Sequence, residues 1–364
     1  MSTAESSNTA PTANIRKSSQ MKNSLLPRLR CPLNGDALTH EGNALVSTMG
    51  ECYPIIQGVP VLLTKTEDPT HWVLSASYDA ARNRPDDVYY EDTIGLFPAD
   101  LANLKEQMKS GLIDSVDPIV SFLVGATSGN MYRDLIGKLE TIPIPEFRMP
   151  SGNGLMLDIG CSWGRWSVAA AQNGYTVVGI DPSLGAVLAA KRLTQELGID
   201  AQFVVADALR LPFQDKTFDY IFSYSVLQHL SRDDCEKITR EAGRVSNDNA
   251  ELMIQMANMF GIRSLYHLAR RGFRSGSGFD VRYYSPNQLV RMFEKNYGHS
   301  RLSVDCYFGL GIQAADRHVV STPKRLVIDA SEFLRSAAGH LPFLRYAADS
   351  LYICSYRSAD AIDR

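Results

Sequence analysis

Cysteine is scarce here: Cys31, Cys52, Cys161, Cys235, Cys306 and Cys354 are scattered over 364 residues. Small secreted domains held by disulfides concentrate theirs, so that class is excluded and these six are read as reduced thiols. Charge of one sign is missing too. Lysine and arginine total 37 against 40 acids, a formal charge of −3, which offers no global attraction to a phosphate backbone and argues against nucleic acid as a partner. Long apolar runs are also absent, the most apolar stretch outside the suspected core being residues 118–124, far short of the roughly 20 a membrane helix needs. Residues 1–24 are rich in Ser, Thr, Asn and Ala without the apolar centre of a signal peptide. They are expected to be a disordered tail and the protein cytoplasmic, and no solenoid repeat is visible.

What is present divides the chain. Residues 25–66 read as short strands and turns, with a turn at Arg30-Cys31-Pro32-Leu33-Asn34-Gly35, an apolar run at 44–47, and a strand pair around a glycine turn at 53–63. This segment is expected to form a small β-rich domain with its own core. Residues 67–125 read as a polar, partly helical connector broken by Pro69, Pro85, Pro98 and Pro118, with one helical stretch near 100–108. From Gly154 onward, apolar runs of about five residues alternate with helix-period segments, the pattern of a parallel sheet with helices on its faces. Strands are expected at 155–159, 176–180, 202–206, 218–223 and 252–256, and helices at 165–173, 184–197 and 232–245. An insertion at 257–284 precedes a helix starting at Ser285-Pro286. The segments 301–308 and 351–356 close the sheet as a strand pair, with an extra helix at 323–337 between them. The expected fold class is α/β, a doubly wound sheet over 126–358 preceded by the small β-rich domain and followed by a tail at 359–364.

The chemistry concentrates at strand ends. Leu157-Asp158-Ile159-Gly160-Cys161-Ser162-Trp163-Gly164 is an apolar strand running into a tight turn and a helix. Gly160 and Gly164 lack the Cβ atoms that would obstruct a nucleoside, and the helix N-terminus offers amides to a carboxylate. Nicotinamide-binding domains use Gly-x-Gly-x-x-Gly at this turn, whereas this chain has Gly-x-x-x-Gly, which disfavours a dehydrogenase. Asp181, followed by Pro182, closes the next strand, where ribose hydroxyls can donate to its oxygens. Asp207 closes the third, placed to accept from an adenine amine while Ala208 leaves room for the ring. The fourth strand runs into Ser223-Tyr224-Ser225-Val226-Leu227-Gln228-His229-Leu230.

These four signals, in this order, resemble the class I S-adenosylmethionine-dependent methyltransferase domain over residues 154–255, in the subgroup with a Leu-Asp-hydrophobic-Gly-Cys-x-x-Gly signature. The resemblance implies a Rossmann-like sheet with S-adenosylmethionine as cofactor. It implies that Gly160 and Gly164 line the methionine portion, that Asp181 binds the ribose, that Asp207 and Ala208 hold the adenine, that Ser223 contributes backbone contacts, and that Asp158, Cys161 and Pro182 belong to the same cofactor site. Tyr132, in a segment resembling one that folds over the cofactor, is a candidate lid residue or part of a helix-start turn. Residues 25–63 resemble the zinc-ribbon-like activator domain that accompanies many methyltransferases, but Asn34 stands where the second cysteine of its knuckle would be. Cys31, Cys52 and His40 lack the spacing of a tetrahedral site, so no metal is expected.

His229 is the imidazole placed to act as general base. Methyl transfer from a sulfonium depends chiefly on alignment, so packing beside the cofactor is its other role and the favoured one. The insertion carries Arg263, His267, Arg270, Arg271, Arg274 and Arg282 among Tyr266, Phe273, Tyr283 and Tyr284, which reads either as a lid for an anionic or sugar-phosphate-bearing acceptor or as a solvated face. The preferred acceptor is a hydroxyl of a small molecule or glycan precursor. The alternatives are a methyltransferase of RNA or protein, weakened by the absence of an Asn-Pro-Pro-Tyr-type motif at Ser223-Tyr224-Ser225-Val226, and a non-catalytic methyltransferase-like subunit. Composition does not fix an oligomeric state.

Overall fold

The apolar run Leu155–Ile159 becomes the centre of the sheet. In this computed structural model, which describes residues 25–65, 72–109, 117–127, 142–278, 280–309, 311 and 313–357, the strands in chain order are β1 (Leu38–Glu41), β2 (Ala44–Ser47), β3 (Cys52–Ile56), β4 (Val59–Leu62), β5 (Leu155–Ile159), β6 (Thr176–Asp181), β7 (Ala201–Ala206), β8 (Phe218–Ser223), β9 (Ser246–Ala257), β10 (His299–Cys306) and β11 (Ser350–Tyr356). They form one sheet in the order β1-β2-β3-β4-β7-β6-β5-β8-β9-β11-β10. The block β7-β6-β5-β8-β9 is parallel. A parallel strand between two parallel neighbours is covered on both faces, so its sequence reads as an unbroken apolar run. Met156, Leu157 and Ile159 of β5 are accordingly fully buried.

The covering helices include α4 (Arg165–Gln172), α5 (Leu184–Glu196) and α6 (Arg232–Val245). Ser183 caps α5 by accepting from the Ala186 amide at 3.1 Å, and Ser231 caps α6 through the Asp234 amide at 3.1 Å. α7 (Ile262–Arg270) occupies the insertion, and α8 (Pro286–Asn296) starts with a full capping box between Ser285 and Gln288. α9 (Thr322–His340) lies between β10 and β11 in the chain. No helix among the described residues is long and apolar enough to cross a membrane.

The N-terminal strands depart from the expected separate domain. β4 is buried along its whole length, and a strand with no solvent-facing side needs a partner at each edge. It finds β3 on one side and β7 on the other, pairing parallel through Val61 with Val205 and Leu62 with Ala206. One apolar cluster runs from Leu29, Leu45 and Tyr53 to Leu157, Val204 and Phe213, so the segment extends the large sheet and shares its core. Cys31 lies buried with its thiol 3.2 Å from the Tyr53 hydroxyl, Cys52 is exposed, and no group of metal ligands converges among the described residues.

The connector is more helical than its prolines suggested. α1 (Trp72–Asn83), α2 (Pro98–Lys109) and α3 (Pro118–Thr127) form there. α3 is apolar on every side, which conceals a helical period in the sequence; its Ile119, Val120 and Leu123 share a cluster with Trp163, Val168 and Leu193.

Leu45→Ala tests the shared core. Because Leu45 is fully buried in the cluster that contains Leu157, truncation should cost about 2–5 kcal/mol and move the urea midpoint reported by the fluorescence of Trp72, Trp163 and Trp166, all outside residues 25–63, together with the circular dichroism midpoint. An unmoved tryptophan transition would mean that residues 25–63 unfold alone.

Candidate functional site

The chain passes from β5 to β6 to β7 in one direction and returns to the other side of β5 with β8. Ligands of open α/β sheets bind beyond the carboxyl ends of the strands at such a switch point. The turn leaving β5 is built for close approach. Gly160 and Gly164 hold φ of 76° and 85°, values that side-chain-bearing residues adopt at a cost. A Cβ on Gly160 would stand 2.3 Å from Val226 Cγ2, and one on Gly164 would stand 3.0 Å from Ala190 Cβ. The glycines therefore answer to protein neighbours as well as leaving a bare backbone surface. Ser162 between them also sits at positive φ, 48°. Trp163 turns into the interior, 2% exposed against the α3 cluster, so its bulk lies away from the crevice.

Asp181 ties two loops together. Its Oδ2 accepts from the Ser162 amide at 3.0 Å and its Oδ1 from the Ser183 amide at 2.9 Å, leaving a lone pair on each oxygen for a further donor. Burial pushes this carboxyl up to about 6, while the Ser183 and Ser162 amides hold it back. Pro182 follows at the crevice rim, half-buried. Beneath lies Asp158, 2% exposed, accepting from Ser167 Oγ at 2.6 Å and raised by burial to about 7. It joins β5 to α4 from below. Cys161 is buried, its thiol pushed well above its ordinary range by desolvation, which excludes a ready thiolate nucleophile.

The other predicted residues fall along the same edge. Asp207 caps a short 3-10 turn through Leu209 N at 2.9 Å, with the half-buried Ala208 opening that turn. The Ser223 hydroxyl donates to the Ile159 carbonyl at 2.8 Å, linking the ends of β8 and β5. Ser225, two residues on, holds φ of 60°. His229 lies in a 3-10 turn just past this bend, partly buried, its carbonyl accepting from Arg282 Nη1 at 2.5 Å. Tyr132 lies outside the described residues.

Two parts of this region had little or no signal in the sequence. The connector caps α5 directly: Leu184 N donates to Ser77 Oγ at 3.0 Å and Gly185 N to Thr93 Oγ1 at 2.8 Å. Donor and acceptor are 107 and 92 residues apart, and no local pattern announces such a pair. The second is a buried cluster at the carboxyl ends of β8 and β10. Tyr224 Oη donates to Asp305 Oδ2 at 2.9 Å, Ser350 Oγ donates to the same oxygen, and Arg148 bonds both Asp305 and, at 2.7 Å, Glu332. Asp305 is 1% exposed. An acid between Val304 and Cys306 in a strand was its one sequence hint.

The insertion is divided. Tyr284 is core, its hydroxyl 3.5 Å from Cys235 Sγ, and the Arg282 amide donates to the Gln228 carbonyl at 2.7 Å. Arg282 and Tyr284 are thus structural, whereas Arg270 and Arg274 stay exposed. A cavity of about 660 Å³ between the N-terminal turn and the β7–β8 connection is lined by Arg30, Leu209, Arg210 and Arg244 among others, and by none of the predicted site residues.

Gly160→Ala should destabilise the fold by about 1–3 kcal/mol through its positive φ and the Val226 contact, with part recovered in Gly160→Ala/Val226→Ala; thermal unfolding measures both, and a neutral Gly160→Ala would refute the close approach. The comparisons agree with this geometry in position. Residues 156–249 match the methyltransferase domain family. Over 102 residues the chain is 37% identical to norajmaline N-methyltransferase of Rauvolfia serpentina, covering 27% of this chain and 34% of that protein. It is 29% identical over 103 residues to a ubiquinone biosynthesis O-methyltransferase of Azorhizobium caulinodans, 28% of this chain and 40% of that one. The chain therefore spans about a third to two fifths of these curated relatives. Magnesium protoporphyrin IX methyltransferase of Synechocystis, solved with bound SAH, aligns at 14% identity and TM-score 0.41 over 71% of this chain and 94% of that one. Residues 156–249, which hold the β5 turn, Asp181, Asp207 and His229, are thus the part of the chain that resembles a methyltransferase domain.

Proposed function

We propose that this protein transfers a methyl group from S-adenosylmethionine to a hydroxyl of a small molecule or glycan precursor. The observation that carries the cofactor assignment is Asp181: a carboxylate at the switch point, fixed by two amides with one lone pair per oxygen to spare, fits the paired hydroxyls of a ribose. Asp207 and Ala208 stand one strand further out for an adenine. Gly160, Cys161 and Gly164 present backbone at the β5 turn, and Ser223 adds backbone from β8. Asp158 acts as a positioning residue, holding α4 against β5. Tyr132 is proposed as a lid on sequence grounds alone.

The cofactor supplies an electrophilic methyl on a sulfonium. The protein's task is alignment, with exclusion of water, since in-line displacement gains most from proximity. His229, in the turn after β8, is proposed to face the acceptor, taking its proton or fixing its orientation. The acceptor class rests on two supports. The net charge of −3 disfavours a polyanionic macromolecule, and half-buried Arg263 of the insertion suits an anionic group on a small molecule. The relatives named above act on nitrogen or oxygen by their names, so the acceptor atom is the finer part of the proposal.

Two measurements test this. Incubation with methyl-labelled S-adenosylmethionine and a cell extract, separated into RNA, protein, lipid and small-molecule or glycan pools, should place label in the last pool and lose it with Asp181→Ala; label in RNA or protein would overturn the acceptor class. Binding of S-adenosylhomocysteine supplies the pH test. Ribose hydroxyls donate to ionised Asp181, so affinity should be flat above about pH 7 and fall as pH drops through about 6, approaching tenfold per pH unit well below it. Asp181→Asn should remove that slope and weaken binding at neutral pH.

A further inference from the structure

α7 turns an apolar face to solvent. Ser264 and Leu268 are buried, while Ile262, Leu265 and Tyr266 are 57, 42 and 57% exposed. Spacings of about three and four place these three on one stripe, and Phe273, just past the helix, extends it at 68% exposure. Isolated exposed apolar residues are ordinary, but a helical stripe of them marks a contact surface. The patch continues onto a neighbouring turn, Pro342–Ala347, where Phe343 and Tyr346 are exposed. Asn258 Nδ2 donates to the Tyr346 carbonyl at 2.9 Å and the Arg263 amide to Asp349 Oδ1 at 2.7 Å, which seats the start of α7 beside that turn.

The charge around this stripe has one sign. Residues 252–279 contain no Asp or Glu and four arginines, Arg263, Arg270, Arg271 and Arg274, in a chain where acids outnumber bases. Arg270, Arg271, Gly272 and Arg274 line a shallow basin of about 560 Å³. Arg271 pairs with Asp280 at 3.7 Å, whereas Arg270 lies over the Tyr266 ring with its charge facing out. Neither Arg270 nor Arg274 has an ion pair among the described residues.

We propose that this face docks on an anionic phospholipid bilayer, with Ile262, Leu265 and Phe273 entering the interface and Arg270 and Arg274 meeting lipid phosphates. An aliphatic and aromatic stripe flanked by arginines is the composition of helices that lie in the headgroup region. A second copy of the same face would bring arginines against arginines. Residues 1–24 complement it no better, having Arg16, Lys17 and Lys22 against Glu5. Since α7 follows β9, whose last residue Ala257 ends at the carboxyl edge of the sheet, docking brings the crevice side toward the lipid. The docking surface stands whether or not the methyl-transfer reading holds.

Co-sedimentation of the full chain with vesicles tests it, comparing pure phosphatidylcholine with vesicles containing about a third phosphatidylglycerol. At least about tenfold stronger partitioning to the anionic vesicles is expected, weakened by added salt. Leu265→Asp and Arg270→Glu/Arg274→Glu should each reduce it at least about tenfold with the thermal transition unchanged. Equal binding to both vesicles, or binding indifferent to these substitutions, overturns the proposal. So does no binding at all, the result if a second copy or residues 1–24 cover the face; sedimentation velocity then distinguishes dimer from monomer.

Discussion

One carboxylate shapes the crevice. Asp181 spends an oxygen on each of two amides, one from the turn after β5 and one from the start of α5, and so fixes two loops that belong to different crossovers. Hydrogen bonds to a charged acceptor are stronger than neutral ones, and these are sheltered from water. The cost is visible in the raised affinity of Asp181 for its proton: the site holds a charge that its surroundings disfavour.

That carboxylate depends in turn on a helix start assembled from afar. The first amides of α5 are taken by Ser183, Ser77 and Thr93, two of them from the connector. Helix N-termini leave amides that need partners, and here they are found in α1 and near Tyr90 rather than in water. The absence of a Cβ at Gly185 lets the Tyr90 carbonyl approach, since an added one would stand 2.6 Å away. The connector therefore supports the Asp181 side of the crevice without a residue in it, while α3 encloses Trp163 behind the β5 turn.

Where chemistry and periodicity coincide, the chain was readable. β5, β8 and α6 fall at the expected residues because an unbroken apolar run between a glycine and a turn, or a Ser cap ahead of an amphipathic stretch, is local information. β9 begins earlier than its apolar segment, at Ser246, since its polar start pairs at Phe218 beside a register shift. The strand-end residues Gly160, Asp181, Asp207 and Ser223 were visible for the same reason: each sits where a run of β-formers stops. The direction of Trp163, the partners of Asp305 and the capping by Ser77 were hidden, because each is decided by a side chain distant in sequence. The merger of residues 25–63 with the main sheet was hidden likewise. A short apolar strand looks the same whether its second edge meets a neighbour nearby or one across the chain.

The union of β4 with β7 also bears on how the molecule is made. During synthesis from the N-terminus, β4 leaves the ribosome long before Val205 and Ala206 exist, with one edge already occupied by β3 and the other bare. Non-local parallel pairing is slow to form, and an apolar strand with an open edge invites pairing with other chains. Pro60, lacking an amide hydrogen, sits in that strand facing Ile55. The nascent chain thus carries a waiting edge through the synthesis of its connector and first crossovers, and the arrival of β7 closes it.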